Sequence, residues 1–435
     1  MRNKVWLVIS AVVLVVSLVA FSACAKEEVP PPVEEEELPP VEEEEEVWQW
    51  PERILVTAMT IPGGAPFIAW TTPLADDTGM TIRIITESDV RLQELWVKSG
   101  EFFTKGPQQN RSMMYALRGW SRRDYGAWQS RVWQASGVSY WTFGALGNSG
   151  IKTPNDIKPG TKMVLITLAE EPQQMFLGLL AWAQVNPEDA VWVPTASTRA
   201  LPRLLMDGKI DIALTYIGPN WLEVEASPHG LTYLTLDKEN DPEGAERFLQ
   251  WYPMTGFGAC EGMGVPSAEG IPMAKTLIPY ITSADTDSEF VYRICKWVDE
   301  NYDRFKDGHP WTDDMTLDNL LELAEMHYEP LHDGAVRYLE EKGLWTAELE
   351  ARRQYNIEQL TKWVDAYQTA IDMADERGIQ VDPENDEWQE LWENYRDSRN
   401  LPLLVWYQDS GKAQTPFWEF YEDFERIKTD VFKLE

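Results

Sequence analysis

Histidine and cysteine are scarce in this chain, with four of the first and three of the second in 435 residues. His229, His309, His327 and His332 stand in no HExxH or CxxC arrangement, so the sequence offers no metal site and no cofactor is expected. Basic residues are also short: 38 Lys and Arg face 72 Asp and Glu, a formal net charge of −34. That balance excludes the basic footprint a nucleic-acid backbone requires. No internal repeat is apparent, and the one long apolar run lies at the amino terminus. What remains is a chain 44% hydrophobic, enough for one large or two medium cores.

The opening "MRNKVWLVISAVVLVVSLVAFSAC" has a basic head at Arg2 and Lys4, an apolar run from Val5 to Ala20 and small residues leading to Cys24. This is the layout of a secretory signal over residues 1–24, and the run is short for a membrane span of about 20 residues. "FSAC" resembles the bacterial lipobox, with Phe21 in place of the usual Leu, which implies a lipid on Cys24 and anchoring to the cell membrane. Residues 25–50 interleave proline with glutamate blocks. Proline stiffens and like charges repel, so this linker is expected to extend up to about 70 Å from the anchor. Cys260 and Cys295 are then left either as one disulfide or as two buried thiols.

From Arg53 short β-rich runs alternate with amphipathic segments. "RILVTA", "TIRIIT", "TKMVLIT", "AVWVP" and "IDIALTY" read as strands, and "SDVRLQELWVKSG", "EEPQQMFLGLLAWAQ" and "STRALPRLLMDGK" as the helices that follow. This is an α/β pattern with a mostly parallel sheet, in which ligands bind where strand carboxyl ends meet helix starts. Past Trp345, residues 346–435 read as an extension of long amphipathic helices, with Tyr355, Ile357, Leu360, Trp363 and Val364 on one helical stripe. They are expected either to pack on the first lobe or to offer a partner surface.

Three passages in order, "SGIKTPNDIKPGTKMVLI", "RALPRLLMDGKIDIALTYIG" and "PLHDGAVRYLEEKGL", resemble motifs of the TAXI family of TRAP-transporter solute receptors, with Asp333 where the family's turn has proline. The resemblance implies a two-lobed, periplasmic-binding-protein-like (type II) fold: lobe I from 51–146 and 257–345, lobe II from 147–256. It also implies capture of a small polar solute such as an organic acid or amino acid, delivery to membrane-embedded TRAP permease subunits, and no enzymatic reaction.

For the solute site, the family's glycine-rich first passage corresponds to "TAMTIPGGAPFIAW", which supplies Thr60 and the amides of Gly63 and Gly64. Ser88 and Ser197 follow strands and open helices, where hydroxyls and free N–H groups face an anion, or simply cap the helix. Thr167, Gln173 and Gln174 stand in for a loop that the second lobe lacks, and Tyr216 and Asn220 lie at another strand end. Arg199 is the candidate carboxylate partner, with Arg91 next. A rival reading makes Trp120, Trp128, Trp133 and Trp141 sugar platforms of a carbohydrate-active enzyme or sugar-binding lipoprotein.

His332 sits beside Asp333 before a helical stretch. Asp333 reads as the N-cap, with Ala335, Val336 and Leu339 on the buried face, Gly343 as the left-handed stop and Arg337 paired with Glu341. His332 then has a structural place rather than a chemical one.

Overall fold

A computed structural model describes residues 48–434 apart from 59–60, 88, 106–110, 118–119, 168–169, 197, 254, 264 and 405–416. Trp50–Glu435 forms one compact unit. The signal and most of the linker, including Cys24, lie outside the described residues. No helix among the described residues is long and apolar enough to cross a membrane.

The fold is α/β with a mixed sheet. Its strands run in the order β2 (Thr81–Thr86), β1 (Arg53–Ala58), β3 (Thr104–Lys105), β10 (Pro272–Ser283), β4 (Ser130–Leu146), β7 (Ala213–Tyr216). Off this path, β8 (Leu231–Tyr233) joins β4 and β9 (Gly256–Ala259) joins β10. A second, parallel ladder pairs β5 (Lys162–Ile166) with β6 (Val191–Thr195), and a bridge from Met163 to Ile212 carries it toward β7. The strands read from sequence are thus present, but the sheet is less parallel than expected. Its spine is the antiparallel pair β4–β10, which no local pattern in the sequence announces.

That spine divides the architecture. The amino half of β4 meets the carboxyl half of β10, and there β10 passes to β3 through Ile281–Lys105. The carboxyl half of β4 is flanked by β7 and β8, while the amino half of β10 takes β9. Register shifts fall between Ile278 and Pro279 and between Tyr280 and Ile281, where the ladder changes from one half to the other. Extra residues in a ladder bend and twist it, so the strand direction changes here.

Helices cover both halves. On the first, α1 (Ile61–Thr78) follows β1 and α2 (Val90–Lys98) follows β2. The second carries α3 (Glu170–Ala183), the short α4 (Leu201–Met206) and α5 (Pro242–Trp251). Then come α6 (Ser288–Glu300), α7 (Leu317–Met326) and α8 (Asp333–Glu341). The first half is cored by aromatics: Trp133 stacks on Tyr280 at 5.5 Å, and Trp70 meets Trp133 edge-on at 5.7 Å.

The carboxyl-terminal extension is helical, as expected: α9 (Ala347–Arg377), α10 (Asp386–Ser398) and α11 (Phe417–Asp430). It packs on the segment between β3 and β4. The indoles of Trp388 and Trp392 donate to the carbonyls of Ser121 (2.6 Å) and Ala116 (2.8 Å), and Tyr367 Oη donates to Arg122 O (2.7 Å). Leu360 and Trp363 are buried as read, but Tyr355 stands exposed, and the inner stripe runs instead through Asn356, Gln359, Ala366 and Tyr367. Buried amides such as Asn356, which donates to His327 O at 2.8 Å, take positions that a hydrophobic stripe would not reveal.

Candidate functional site

Two groups of candidate residues form, one in each half. In the first, Gly63 and Gly64 lie in the opening turn of α1, not in a loop, and helix amides there lack intrahelical partners. A methyl group on Gly64 would meet only Ile84 Cγ2 and Thr86 Cγ2, at 3.7 and 3.8 Å. Thr60, Ser88 and Ser197 lie outside the described residues.

The cap of α2 is Asp89, not Ser88: its Oδ1 accepts from Arg91 N at 2.9 Å, and it holds the Arg91 guanidinium through Nε (2.9 Å) and Nη2 (2.8 Å). A carboxylate one residue nearer the helix serves both the free amide and the side-chain cation. The Arg91 guanidinium accordingly holds the Asp89 carboxyl below its usual range. Arg91, the second candidate cation, is therefore already engaged.

In the second half, Thr167, Gln173 and Tyr216 gather at the carboxyl ends of β5 and β7 and the start of α3. Thr167 N donates to Thr195 O at 2.9 Å, tying the ends of β5 and β6 together. Gln173 is buried, its Nε2 donating to Ile166 O at 3.1 Å while Oε1 has no hydrogen-bond partner among the described residues. The Tyr216 residue is 40% exposed, yet burial and nearby Glu171 push its phenol pKa upward. The hydroxyl meets Met175 Sδ at 3.9 Å, and Trp141 lies 6.5 Å behind the ring.

Glu171, on the first turn of α3, accepts from Tyr252 Oη at 2.5 Å. Gln174 is buried beside it. Arg199 is exposed in the 3-10 turn Thr198–Ala200. That turn displaces the start of α4, whose N-cap is Ala200 with no side-chain bond. Asn220 is exposed; with its amide turned to satisfy both ends it donates to Gly218 O (3.3 Å) and accepts from Trp221 Nε1 (3.2 Å).

Sequence reasoning missed Glu171, Met175 and Tyr252, because the Glu171–Tyr252 and Met175–Tyr216 contacts are tertiary. It also missed two polar features of the first half. Lys105, at the end of β3, pairs with Glu94 of α2, both almost wholly buried. Breaking such a pair strands a charge and costs about 3–5 kcal/mol. At the changeover in the spine, the Trp311 ring covers Gly137 so closely that a methyl group there would meet its Cγ at 2.7 Å. Beside it, Val138 N donates to Asp314 Oδ2 at 2.8 Å, and burial raises that carboxyl to about 6.

His332 is itself the N-cap of α8, and Asp333 the first helical residue: Nδ1 accepts from Gly334 N at 3.1 Å. Burial lowers its pKa to about 4, so the ring is the neutral acceptor a cap needs. Asp333 instead pairs with Arg353 of α9. Gly343 does close the segment with φ +70°. Arg337 pairs with Glu289 across to α6, and Glu341 with Lys296 at 2.7 Å, because α6 packs close enough to outcompete the i,i+4 partner. A second neutral histidine, His327, lies near Glu329, whose Oε1 accepts from Ser130 Oγ at 2.6 Å and whose carboxyl burial raises to about 7.

Cys260 and Cys295 are separate buried thiols, not a disulfide. No group of three or more His, Cys, Asp or Glu among the described residues is placed to hold a metal. Trp128, Trp133 and Trp141 are buried in the core and cannot serve as sugar platforms.

Residues 132–343 match the model of the NMT1-like family. No curated protein matches the chain. Among solved structures, the chain is similar to the periplasmic aliphatic sulphonate binding protein of Escherichia coli (11% identity, TM-score 0.40, covering 86% of this chain and 100% of that one). A second is substrate binding domain 2 of GlnP from Lactococcus lactis (8%, TM-score 0.36, covering 61% and 95%). A third is a lipoprotein of the YaeC family from Enterococcus faecalis (13%, TM-score 0.34, covering 59% and 98%).

Proposed function

We propose that the protein is an extracytoplasmic, lipid-anchored solute-binding protein that captures a small polar solute between two lobes and delivers it to a TRAP-type permease. In this reading it binds and releases without turning its ligand over. One observation carries it: the β4–β10 spine runs through two α/β halves and changes register at Ile278–Ile281, the arrangement a hinge between lobes needs. We place the changeover inside these two strands, near Gly137 and Ile278, rather than at the loops that bound them. The candidate contacts support the same reading, since Gly64 lies by the end of β2 and Thr167, Gln173 and Tyr216 lie at the ends of β5 and β7. The TAXI-like passages fall at 149–166, 199–218 and 330–344, almost entirely within the residues that match the family model.

The solute is an organic acid or amino acid, with Arg199 as its charge partner. Net charge −34 cannot draw an anion in, so capture rests on local donors and a cation in a partly desolvated recess. Thermal shift against a metabolite library is the test, because a ligand of the native state raises apparent stability by mass action. Arg199→Ala should weaken an acid ligand by about 1.5–3 kcal/mol, the scale of a hydrogen bond to a charged group. A chain freed of carried-over ligand that responds to nothing in a broad library refutes the reading.

A further inference from the structure

The carboxyl-terminal extension does more than cover the first half. Its last helix, α11, packs against α10, which is anchored on the first half through Trp388, Gln389 and Trp392. The far end of α11 reaches the second half. Phe432 meets the Trp192 ring of β6 edge-on at 4.7 Å, and Arg426 lies 3.6 Å from Glu188, just before β6. Phe424 and Ile427 of α11 are buried, as is Phe432 just past its end, so this segment is packed along its inner side and not merely resting on the surface. Trp192 is in turn held from within, its Nε1 donating to Pro187 O at 2.9 Å and its ring 6.2 Å from Phe176 of α3.

We propose that α11 is a strap across the hinge: one piece of chain bound to both halves, which limits how far they rotate about the β4–β10 spine. The inference rests on the two-lobe reading given above. Geometry separates the strap from the solute contacts. Trp192 pairs with Met163 near the amino ends of β5 and β6, whereas Thr167, Gln173 and Arg199 follow the carboxyl ends of β5 and β6. Rotation that moves β6 relative to α10 must slide or break the Phe432–Trp192 and Arg426–Glu188 contacts, while rotation that preserves them is confined to small angles. An edge-on ring contact and one half-exposed ion pair are weak enough to yield and specific enough to define a resting angle.

The test measures the distance between spin labels at Glu101→Cys in the first half and Lys158→Cys in the second, both exposed positions. The background carries Cys24→Ser, which leaves only the buried thiols Cys260 and Cys295. With the strap intact the distribution is narrow. Phe432→Ala with Arg426→Ala should broaden or shift it, with faster amide exchange confined to α11, and Thr429→Ala, at an exposed position of the same helix, should leave it unchanged. An identical distribution in the released variant, with α11 amides exchanging faster, overturns the strap. The solute reading fails separately: if the released variant broadens and no library solute narrows it, the strap stands and solute-driven closure does not.

Discussion

Replacing His332 by asparagine should change the sign of its stability effect with pH. The imidazole is 2% exposed, caps α8 through Nδ1 and titrates near 4 because burial, reinforced by Arg131 and Arg353, outweighs the pull of Asp333. In the unfolded chain it titrates near about 6.5. A folded pKa lowered in this way means the unfolded state binds more protons between those values, so stability rises with pH through the window and is lost as pH falls. Between pH 7.5 and pH 5 the parent therefore loses about 2 kcal/mol through this one ring. Asparagine keeps an N-cap oxygen and carries no proton, so His332→Asn should cost about 1 kcal/mol of packing at pH 7.5 and become stabilising by a similar amount at pH 5. His332→Ala, which also loses the cap, should be worse than asparagine by about 1 kcal/mol at both values. Urea unfolding of the three chains at the two pH values measures this, and contributions from His327 cancel between them. An asparagine penalty equal at pH 5 and pH 7.5 would show that the native ring is not held neutral, and the account of the cap would fall.

Glu329→Gln tests the opposite sign: a buried carboxyl raised to about 7 destabilises the folded state as pH climbs from its ordinary value, so the glutamine chain should gain up to about 3 kcal/mol over the parent at pH 8 and almost nothing at pH 4 by urea unfolding. Gly126→Ala should cost more than about 2 kcal/mol and expose the extension to protease, since φ is +77° and the added methyl would strike the Tyr367 ring. Gly64→Ala, with only ordinary contacts, should leave the melting temperature within a few degrees of the parent. Cys24→Ser should move the protein from the membrane fraction to the soluble one, and retention of a processed mutant would refute the lipid anchor.

The elements easiest to read were those with one local signal. β1, β5 and β7 are β-rich runs with a helix or turn after them, and Gly343 closes α8 where a left-handed residue was expected. β4 escaped because "SRVWQASGVSYWTFGAL" is buried on both faces for nearly its whole length, leaving no alternation to detect among its serines, glycines and tryptophans. β10, with Pro279 at a register shift, reads as a broken strand until its partner is known. The cap of α8 falls one residue earlier than read, at His332, because Arg353 of α9 takes the Asp333 carboxylate, while α2 is capped by Asp89, which also holds Arg91. At the candidate site Thr167 and Tyr216 are legible as strand ends and Gln173 as a polar residue opening the helix after β5, but the pairing of Tyr252 with Glu171, 81 residues apart, is not.

The reach of the extension also fixes an order of assembly. Trp388 and Ser121 are 267 residues apart, and Tyr115 and Leu404 are 289 apart, so the face between β3 and β4 stays uncovered until the last tenth of the chain is available. Such long loops close slowly, and what they leave open meanwhile is apolar. The segment from Lys162 to Trp251, by contrast, closes mostly on itself. A nascent chain should therefore carry a finished second half beside an unfinished first one, and a premature stop in α9 or α10 would yield a sticky, aggregation-prone product rather than a shortened but working protein.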